Sequence, residues 1–279
     1  EKEFILPDIP QLLTSPEDRT VYLALHYWEH FDFADTTLVS KPEITEQALA
    51  NFLDILSHVS PDDSRKALTN LMKSASSDSL MFTHFMKLTE KYLYDPNSPL
   101  RNEELYIPVL DCIISTPRLD ETLRSRSRHL LKRIMKNRKG HVATDFSYTL
   151  PNGTVARLSS LKADYTLLFF NNPDCPDCKR VKDYITHSPL FDRLTKTDSI
   201  PFLRILAIYP DDDIDLWKRS DYPGIMINGY DAGQVITNQE LYDLKAMPTL
   251  YLLDGVKRVV LKDATVEQIE AWLQVLLNN

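Results

Sequence analysis

Residues 165–178 read YTLLFFNNPDCPDC, and this stretch decides how the surrounding chain is expected to fold. The apolar run at 165–170 predicts a buried strand, and residues 179–187 predict a helix. The two cysteines therefore stand where a strand passes into a helix. The free N–H groups and partial positive charge of a helix N-terminus favour a thiolate there. We expect Cys175 to be an attacking nucleophile and Cys178 its resolving partner.

Two other interpretations of a CxxC pair are a zinc site and a structural disulfide. Structural zinc usually takes four protein ligands, often from a second CxxC or a pair of histidines. The chain has one further cysteine, Cys112, in a different region, and His187 lies nine residues beyond Cys178. We therefore predict no metal site.

A second motif, Met247-Pro248-Thr249, precedes the apolar run at 250–253. Cis peptide bonds occur almost only before proline and usually have a positional role in folded proteins. Pro248 could merely begin a strand. With a CxxC in the same chain, we predict that the Met247–Pro248 bond is cis.

Residues from about 141 to 279 resemble a thioredoxin-fold domain of the TlpA/ResA/AhpC-TSA type. The matching segments follow in the order of that family: 143–146 with 150–153, 158–162, 167–178 and 242–249. The resemblance implies a thiol–disulfide oxidoreductase with Cys175 as nucleophile, Cys178 as resolving thiol and Pro248 beside them. It implies a substrate groove formed by Pro176, Asp177, Met247 and Thr249.

The same resemblance implies that the redox-active Cys175–Cys178 disulfide replaces any cofactor. The expected partners are proteins that supply thiols or disulfides, together with a redox partner protein. The direction of the exchange, reduction or oxidation, stays open.

Two positions depart from the family pattern. Thioredoxin has a buried Asp where this chain has Phe169, and ResA-type proteins have a Glu where it has Val181. Asp177 could accept a proton, but an acid in the first turn of a helix is the simpler explanation. A peroxiredoxin is disfavoured, because Asn172 stands where the Thr of its Pro-x-x-x-Thr-x-x-Cys pattern is expected.

The distribution of glycine predicts two domains. All six glycines lie at or after Gly140, and the first 139 residues have none. Glycine avoids helix interiors and serves turns. We predict a helical domain over 1–139 and a thioredoxin-like domain over 140–279. The fold class is α+β with two domains, an all-α N-terminal domain followed by an α/β thioredoxin fold.

Three features outside the CxxC have plain structural explanations. Cys112 shares an apolar stripe and is expected to be a buried, inert thiol. The basic run from Arg124 to Lys139 is expected to be a solvated helix, with contact to an acidic partner or the neighbouring domain as the alternative. The tract 211–213, three aspartates, is expected to cap a helix rather than to bind calcium.

Residues 92–106 resemble a helical domain of unknown function that precedes thioredoxin-like domains in exported proteins of Gram-negative envelopes. The resemblance implies an extracytoplasmic location, in the periplasm or outer envelope. No apolar stretch approaches the roughly 20 residues needed to span a bilayer, and the chain opens at Glu1 without an export signal. We expect a mature or trimmed chain from which an N-terminal segment has been removed. Anchoring to a membrane through that segment stays open.

The net charge of −8 argues against general nucleic-acid binding. Two classes of function stay open. The first is thiol–disulfide exchange with protein substrates. The second is a non-catalytic envelope binding protein, in which the thioredoxin-like half is a scaffold and the CxxC is vestigial.

Overall fold

A computed structural model describes residues 3–196 and 199–278. The chain divides into two compact units, Glu1–Lys132 and Arg133–Asn279. This division falls a few residues before the boundary at 139/140, which stays a prediction of the sequence.

The described part of the first half is helical, as predicted. Its α-helices and one 3-10 helix (Thr36–Ser40) are α1 (Pro16–His26), α2 (Pro42–Leu56), α3 (Pro61–Ala75), α4 (Ser79–Leu93), α5 (Glu103–Ser115) and α6 (Glu121–Ile134). Capping side chains begin five of these α-helices, because each accepts a backbone N–H that the first turn leaves unpaired. They are Ser15, Ser60, Asp78, Asn102 and Asp120.

Helix α2 begins at Pro42, and Thr45 lies in its first turn and is fully buried. Its hydroxyl hydrogen-bonds Nε2 of His84 at 2.9 Å. Proline suits the first position of a helix, since its missing N–H has no partner there in any case.

The second unit contains a mixed, seven-stranded sheet in the order β2-β1-β5-β4-β3-β6-β7. Its strands are β1 (Ser147–Thr149), β2 (Val155–Arg157), β3 (Tyr165–Phe170), β4 (Leu203–Tyr209), β5 (Met226–Tyr230), β6 (Thr249–Asp254) and β7 (Val259–Lys262). Its helices are α7 (Pro176–His187), α8 (Pro189–Thr195), α9 (Ile214–Arg219), α10 (Val235–Asn238) and α11 (Val266–Asn278), with a 3-10 turn at Leu158–Ser160. The helices α8 and α10 and the strand β5 were not predicted from the sequence.

Strand β3 lies inside the sheet, parallel to β4 and antiparallel to β6. Successive side chains of a strand point to opposite faces. Leu167 and Phe169 therefore pack under α7, α8 and α11, while Leu168 and Phe170 pack into a second core on the other face. Both faces of β3 are buried, which is why its sequence is continuously apolar rather than alternating.

Candidate active site

The CxxC lies at the start of α7, directly after the carboxyl end of β3. Cys175 is the N-cap residue and Pro176 occupies the first helical position. The turn before them is closed by Asn172, whose side-chain oxygen accepts the Asp174 N–H at 2.9 Å. Its backbone carbonyl accepts the Cys175 N–H at 3.1 Å. These hydrogen bonds fix the loop so that Cys175 caps the helix and Cys178 lies in its first turn.

The two sulfurs differ in exposure and in hydrogen bonding. The Cys175 side chain is half-buried, whereas Cys178 is 3% exposed. The Cys175 sulfur accepts the Cys178 N–H at 3.2 Å, which is the capping bond of α7. The Cys178 sulfur accepts the Asn172 N–H at 3.5 Å. Both thiols are free, so the pair stands in its dithiol form.

Burial raises the pKa of the Cys178 thiol to about 12. The Asn172 N–H opposes this rise, whereas the neighbouring Cys175 sulfur and the negative charge of Asp177 act in the same direction as burial. At neutral pH Cys178 is therefore held as the neutral thiol. An unpaired charge at this depth would be costly.

The Met247–Pro248 segment lies beside the CxxC. The Met247–Pro248 peptide bond is cis, the isomer expected from the sequence. Thr249 pairs with Phe170 in the sheet register, so the loop after β3 and the loop before β6 leave the sheet side by side. The Cys175 thiol reaches the Met247 carbonyl oxygen at 3.6 Å.

The four residues predicted to line a substrate groove differ in their exposure to solvent. Pro176 and Asp177 are exposed, and Met247 is half-buried. Thr249 is 5% exposed, and its hydroxyl donates to the Ala246 carbonyl at 2.7 Å. The side chain of Thr249 is therefore buried, and its hydroxyl is used within the protein.

The two positions at which related proteins carry a carboxylate are apolar core here. Phe169 and Val181 are 1% and 2% exposed and belong to the core that contains Cys178. The structure instead surrounds the pair with amides and a phenol. Tyr222 donates its hydroxyl to Asn171 Oδ1 at 2.9 Å, and Asn172 Nδ2 donates to Asp211 Oδ2 at 3.0 Å.

The amides of Asn171 and Asn172 were missed as polar neighbours by sequence reasoning. The available signal was the dipeptide Asn171-Asn172 directly after a buried strand, since a buried amide needs hydrogen-bond partners. The expectation for the aspartate tract holds for Asp213, which caps α9 by accepting the Leu216 N–H at 2.9 Å. Asp211 serves the Asn172 amide instead.

The segment leading to Pro248 is anchored by residues at the end of the basic run. Arg133 pairs with Asp243, whose side chain is 2% exposed. Lys136 donates to the Glu240 carbonyl, and Asn137 donates to the Leu241 carbonyl at 2.7 Å. A solvated helix therefore describes this run only in part, because its last residues bind within the second unit.

Cys112 is half-buried rather than fully buried. Burial raises its pKa, an effect that the nearby Lys73 and a hydrogen bond with Thr69 oppose. Within residues 3–196 and 199–278, no three His, Cys, Asp or Glu side chains cluster in a way that could hold a metal ion. No helix in the described part of the chain has the length and apolar character needed to cross a membrane.

Both halves of the chain are similar to known proteins. Residues 1–137 match a family described as a domain of unknown function (DUF5106). The crystal structure of a thioredoxin-like protein from Bacteroides caccae is 43% identical, with 99% of each chain covered and a TM-score of 0.94. A comparison with curated proteins found no match.

Two Bacteroides fragilis structures match the second half alone. One is the C-terminal domain of an uncharacterized protein, 45% identical over 50% of this chain and 98% of its own, with a TM-score of 0.47. The other is a conserved protein of unknown function, 40% identical over 49% and 98%, with a TM-score of 0.47.

The Bacteroides caccae protein is matched along nearly its whole length. The sheet, the order of elements and the helical first half agree with the fold expected from the sequence. The chain therefore belongs to the family of thioredoxin-like proteins, with a helical domain of unknown function ahead of its thioredoxin-like domain.

Proposed function

We propose that the protein is a thiol–disulfide oxidoreductase that exchanges disulfides with protein substrates through Cys175 and Cys178. The observation that carries this proposal is the asymmetry of the pair. An accessible sulfur caps the N-terminus of α7 and accepts an N–H, and a buried thiol lies one turn beyond it. A nucleophile must be reached by substrate, whereas its resolving partner needs only to reach the nucleophile.

In the first step the Cys175 thiolate attacks one sulfur of a substrate disulfide. A bond forms between Cys175 and that sulfur, and the other substrate sulfur leaves as a thiolate and takes a proton from solvent. The Cys178 N–H and the N-terminus of α7 support the negative charge on Cys175 before attack.

In the second step Cys178 gives its proton to solvent and attacks Cys175 in the mixed disulfide. The Cys175–Cys178 bond forms, and the second substrate sulfur leaves as a thiolate. Two enzyme thiols are thereby oxidised and one substrate disulfide is reduced. Run backward, the same steps oxidise substrate thiols, so a redox partner protein sets the direction and no cofactor is needed.

The groove that would hold the substrate is bordered by Pro176 and Asp177 on one side and by Met247 and Pro248 on the other. The proximity of the Met247 carbonyl to the Cys175 sulfur supports this assignment. The backbone of Thr249 continues the same edge. An extended polypeptide is the substrate class that fits an open groove beside a reactive sulfur.

An extracytoplasmic location is part of the proposal. Disulfides form and persist in oxidising compartments such as the periplasm, and there an exchange catalyst has substrates. The similarity of the first half to helical domains of exported proteins supports the same location. Fractionation of cells that express the full-length gene tests it, and recovery of the protein with cytoplasmic markers would contradict it.

The first experiment measures the reduction potential of the Cys175/Cys178 pair by thiol trapping and intact mass in graded dithiol buffers. A value near about −270 mV marks a reductant, and one near about −120 mV marks an oxidant. Cys112→Ser provides the matched control, because it removes the third thiol without touching the pair. The absence of a Cys175–Cys178 disulfide at every potential would contradict the proposal.

The second candidate is a non-catalytic binding protein built on the same scaffold. The observation that favours it is the replacement of both expected proton-handling carboxylates by the buried apolar side chains of Phe169 and Val181. That candidate expects a pair that stays reduced at every potential, so the same titration separates the two functions.

A further inference from the structure

The peptide between Asn171 and Asn172 is the structural link between the end of β3 and the buried thiol. Its N–H, on Asn172, points at the Cys178 sulfur from 3.5 Å. The position of that N–H therefore depends on what holds the two asparagines.

Asn171 is 3% exposed and all of its side-chain polar atoms are used. Its Nδ2 donates to the Phe169 carbonyl at 3.2 Å and lies 3.4 Å from the Ile208 carbonyl. Its Oδ1 accepts the Tyr222 hydroxyl at 2.9 Å. The amide nitrogen of Asn171 is thus used by carbonyls of β3 and β4, and the Tyr222 hydroxyl is the hydrogen-bond donor to the amide oxygen.

Tyr222 comes from the segment between α9 and β5 and packs against the core that contains Cys178. The Lys182 ammonium lies 5.3 Å from the centre of its ring and donates to the Asp221 carbonyl at 2.9 Å. Lys182 belongs to α7, so the helix that carries the cysteines also holds the backbone beside Tyr222. Burial, with a smaller contribution from Cys178, raises the pKa of Tyr222, and the phenol stays a neutral donor.

We propose that Tyr222 is a positioning residue for the resolving thiol: by bonding Asn171 it fixes the Asn172 N–H against the Cys178 sulfur and so promotes resolution of the mixed disulfide. This inference rests on the proposed function.

The physical basis is the cost of making a thiolate in the core. A hydrogen bond to a charged group contributes about 1.5–3 kcal/mol, which corresponds to at least tenfold in an equilibrium constant. Without the Tyr222 hydroxyl, the buried Asn171 oxygen loses its partner and the Asn171–Asn172 peptide is free to rotate toward another one. The N–H then stabilises the Cys178 thiolate less well.

Other charged or titratable groups also face Cys178. Cys175 and Asp177 belong to α7 and disfavour its thiolate, and Asp211 reaches this region through the Asn172 side chain. Substitution of Tyr222 by Phe changes none of these groups. A change in the behaviour of Cys178 in that variant therefore reports on the hydroxyl.

The experiment uses dithiobis(nitrobenzoate), a symmetrical aromatic disulfide, on the full chain with Cys112→Ser. Cys175 attacks the reagent and releases one coloured thiolate. Cys178 then attacks the mixed disulfide, forms the Cys175–Cys178 bond and releases the second. The two releases appear as a fast and a slow phase, so attack and resolution are measured separately.

In Tyr222→Phe we expect the second phase to be about tenfold slower and the first to be unchanged. The pH at which the mixed disulfide is resolved at a given rate should be about one unit higher in the variant than in the unsubstituted protein. Tyr184→Phe is the matched control, since Tyr184 packs against the same core but donates its hydroxyl to Glu270 on α11. That control should change neither phase.

A second variant guards against a folding defect in the first. Asn171→Ser, checked by circular dichroism, removes the acceptor from the other side and should slow the second phase as well. The double variant should be no slower than the slower single variant, because both changes break the same Tyr222–Asn171 hydrogen bond.

An unchanged second phase and pH profile in folded Tyr222→Phe or Asn171→Ser would overturn the inference while leaving the proposed function intact. A protein with native Tyr222 that never releases the second thiolate would instead show that Cys178 does not resolve. That result contradicts the proposed function, whatever Tyr222 does.

Discussion

Cys112 in the helical unit and Cys178 in the thioredoxin-like unit are both thiols whose pKa is raised by burial. Their surroundings differ. Cys112 lies near the end of α5, and no second cysteine occurs in residues 1–132. Cys178 lies in the first turn of α7 and is joined through hydrogen bonds to Cys175 and Asn172. A thiol that is only buried is inert. A buried thiol can take part in redox chemistry when backbone N–H donors and a second sulfur lie beside it.

The largest effect expected from this comparison is on exchange activity. Cys175→Ser should abolish turnover of a disulfide substrate, because the oxygen of serine is no nucleophile toward sulfur under these conditions. Cys112→Ser should retain full activity. A disulfide turnover assay measures both, and persistence of activity in Cys175→Ser would contradict the assignment.

A second prediction asks whether the loop beside Cys175 depends on its anchor at Arg133. Arg133→Ala removes one partner of the buried Asp243 carboxylate, and we expect the free energy of unfolding to fall by about 1.5–3 kcal/mol, the contribution of a hydrogen bond to a charged group. Arg128→Ala removes an exposed pair with Glu121 and should have a much smaller effect, since solvent screens that pair. Urea unfolding measures both, and equal effects would show that the Asp243 pair is not an anchor.

The third prediction concerns pH. A raised pKa means that the thiolate of Cys178 is scarce at neutral pH and increases as pH rises toward about 12. Resolution of the mixed disulfide should therefore accelerate about tenfold per pH unit between pH 7 and 9. Stopped-flow release of the second thiolate measures this slope, and a rate that is flat over this range would show that Cys178 ionises more easily than its burial implies.

The smallest effect is expected at Asp177. Its exposed carboxylate is the last of the contributions that raise the pKa of Cys178. Asp177→Asn should speed resolution about two- to threefold at low salt, since charges near a surface interact weakly and are screened. Asp183→Asn, on the same helix but away from its first turn, is the control. A slower rate in Asp177→Asn would favour a role for Asp177 as proton acceptor.

The sequence predicted the parts of this molecule that depend on local chemistry. The apolar run at 165–170 became β3 with those bounds, and α7 contains the helix expected over 179–187. It predicted poorly where tertiary contacts decide. The strand β5 was not anticipated, because its residues Ile227, Asn228 and Gly229 carry no alternating pattern.

By itself the sequence determined that the chain has a glycine-free helical half and a second half with a cysteine pair at a helix N-terminus, because composition, capping and strand periodicity are local properties. The resemblance to a known family indicated that the second half is thioredoxin-like. Only the tertiary structure decided the environment of that pair. It buried Cys178, brought Met247 to Cys175, and joined Tyr222 to Asn171 across 51 residues of sequence. Contacts between distant segments depend on the register of the sheet and the packing of the core, and neither can be found in any single stretch of the chain.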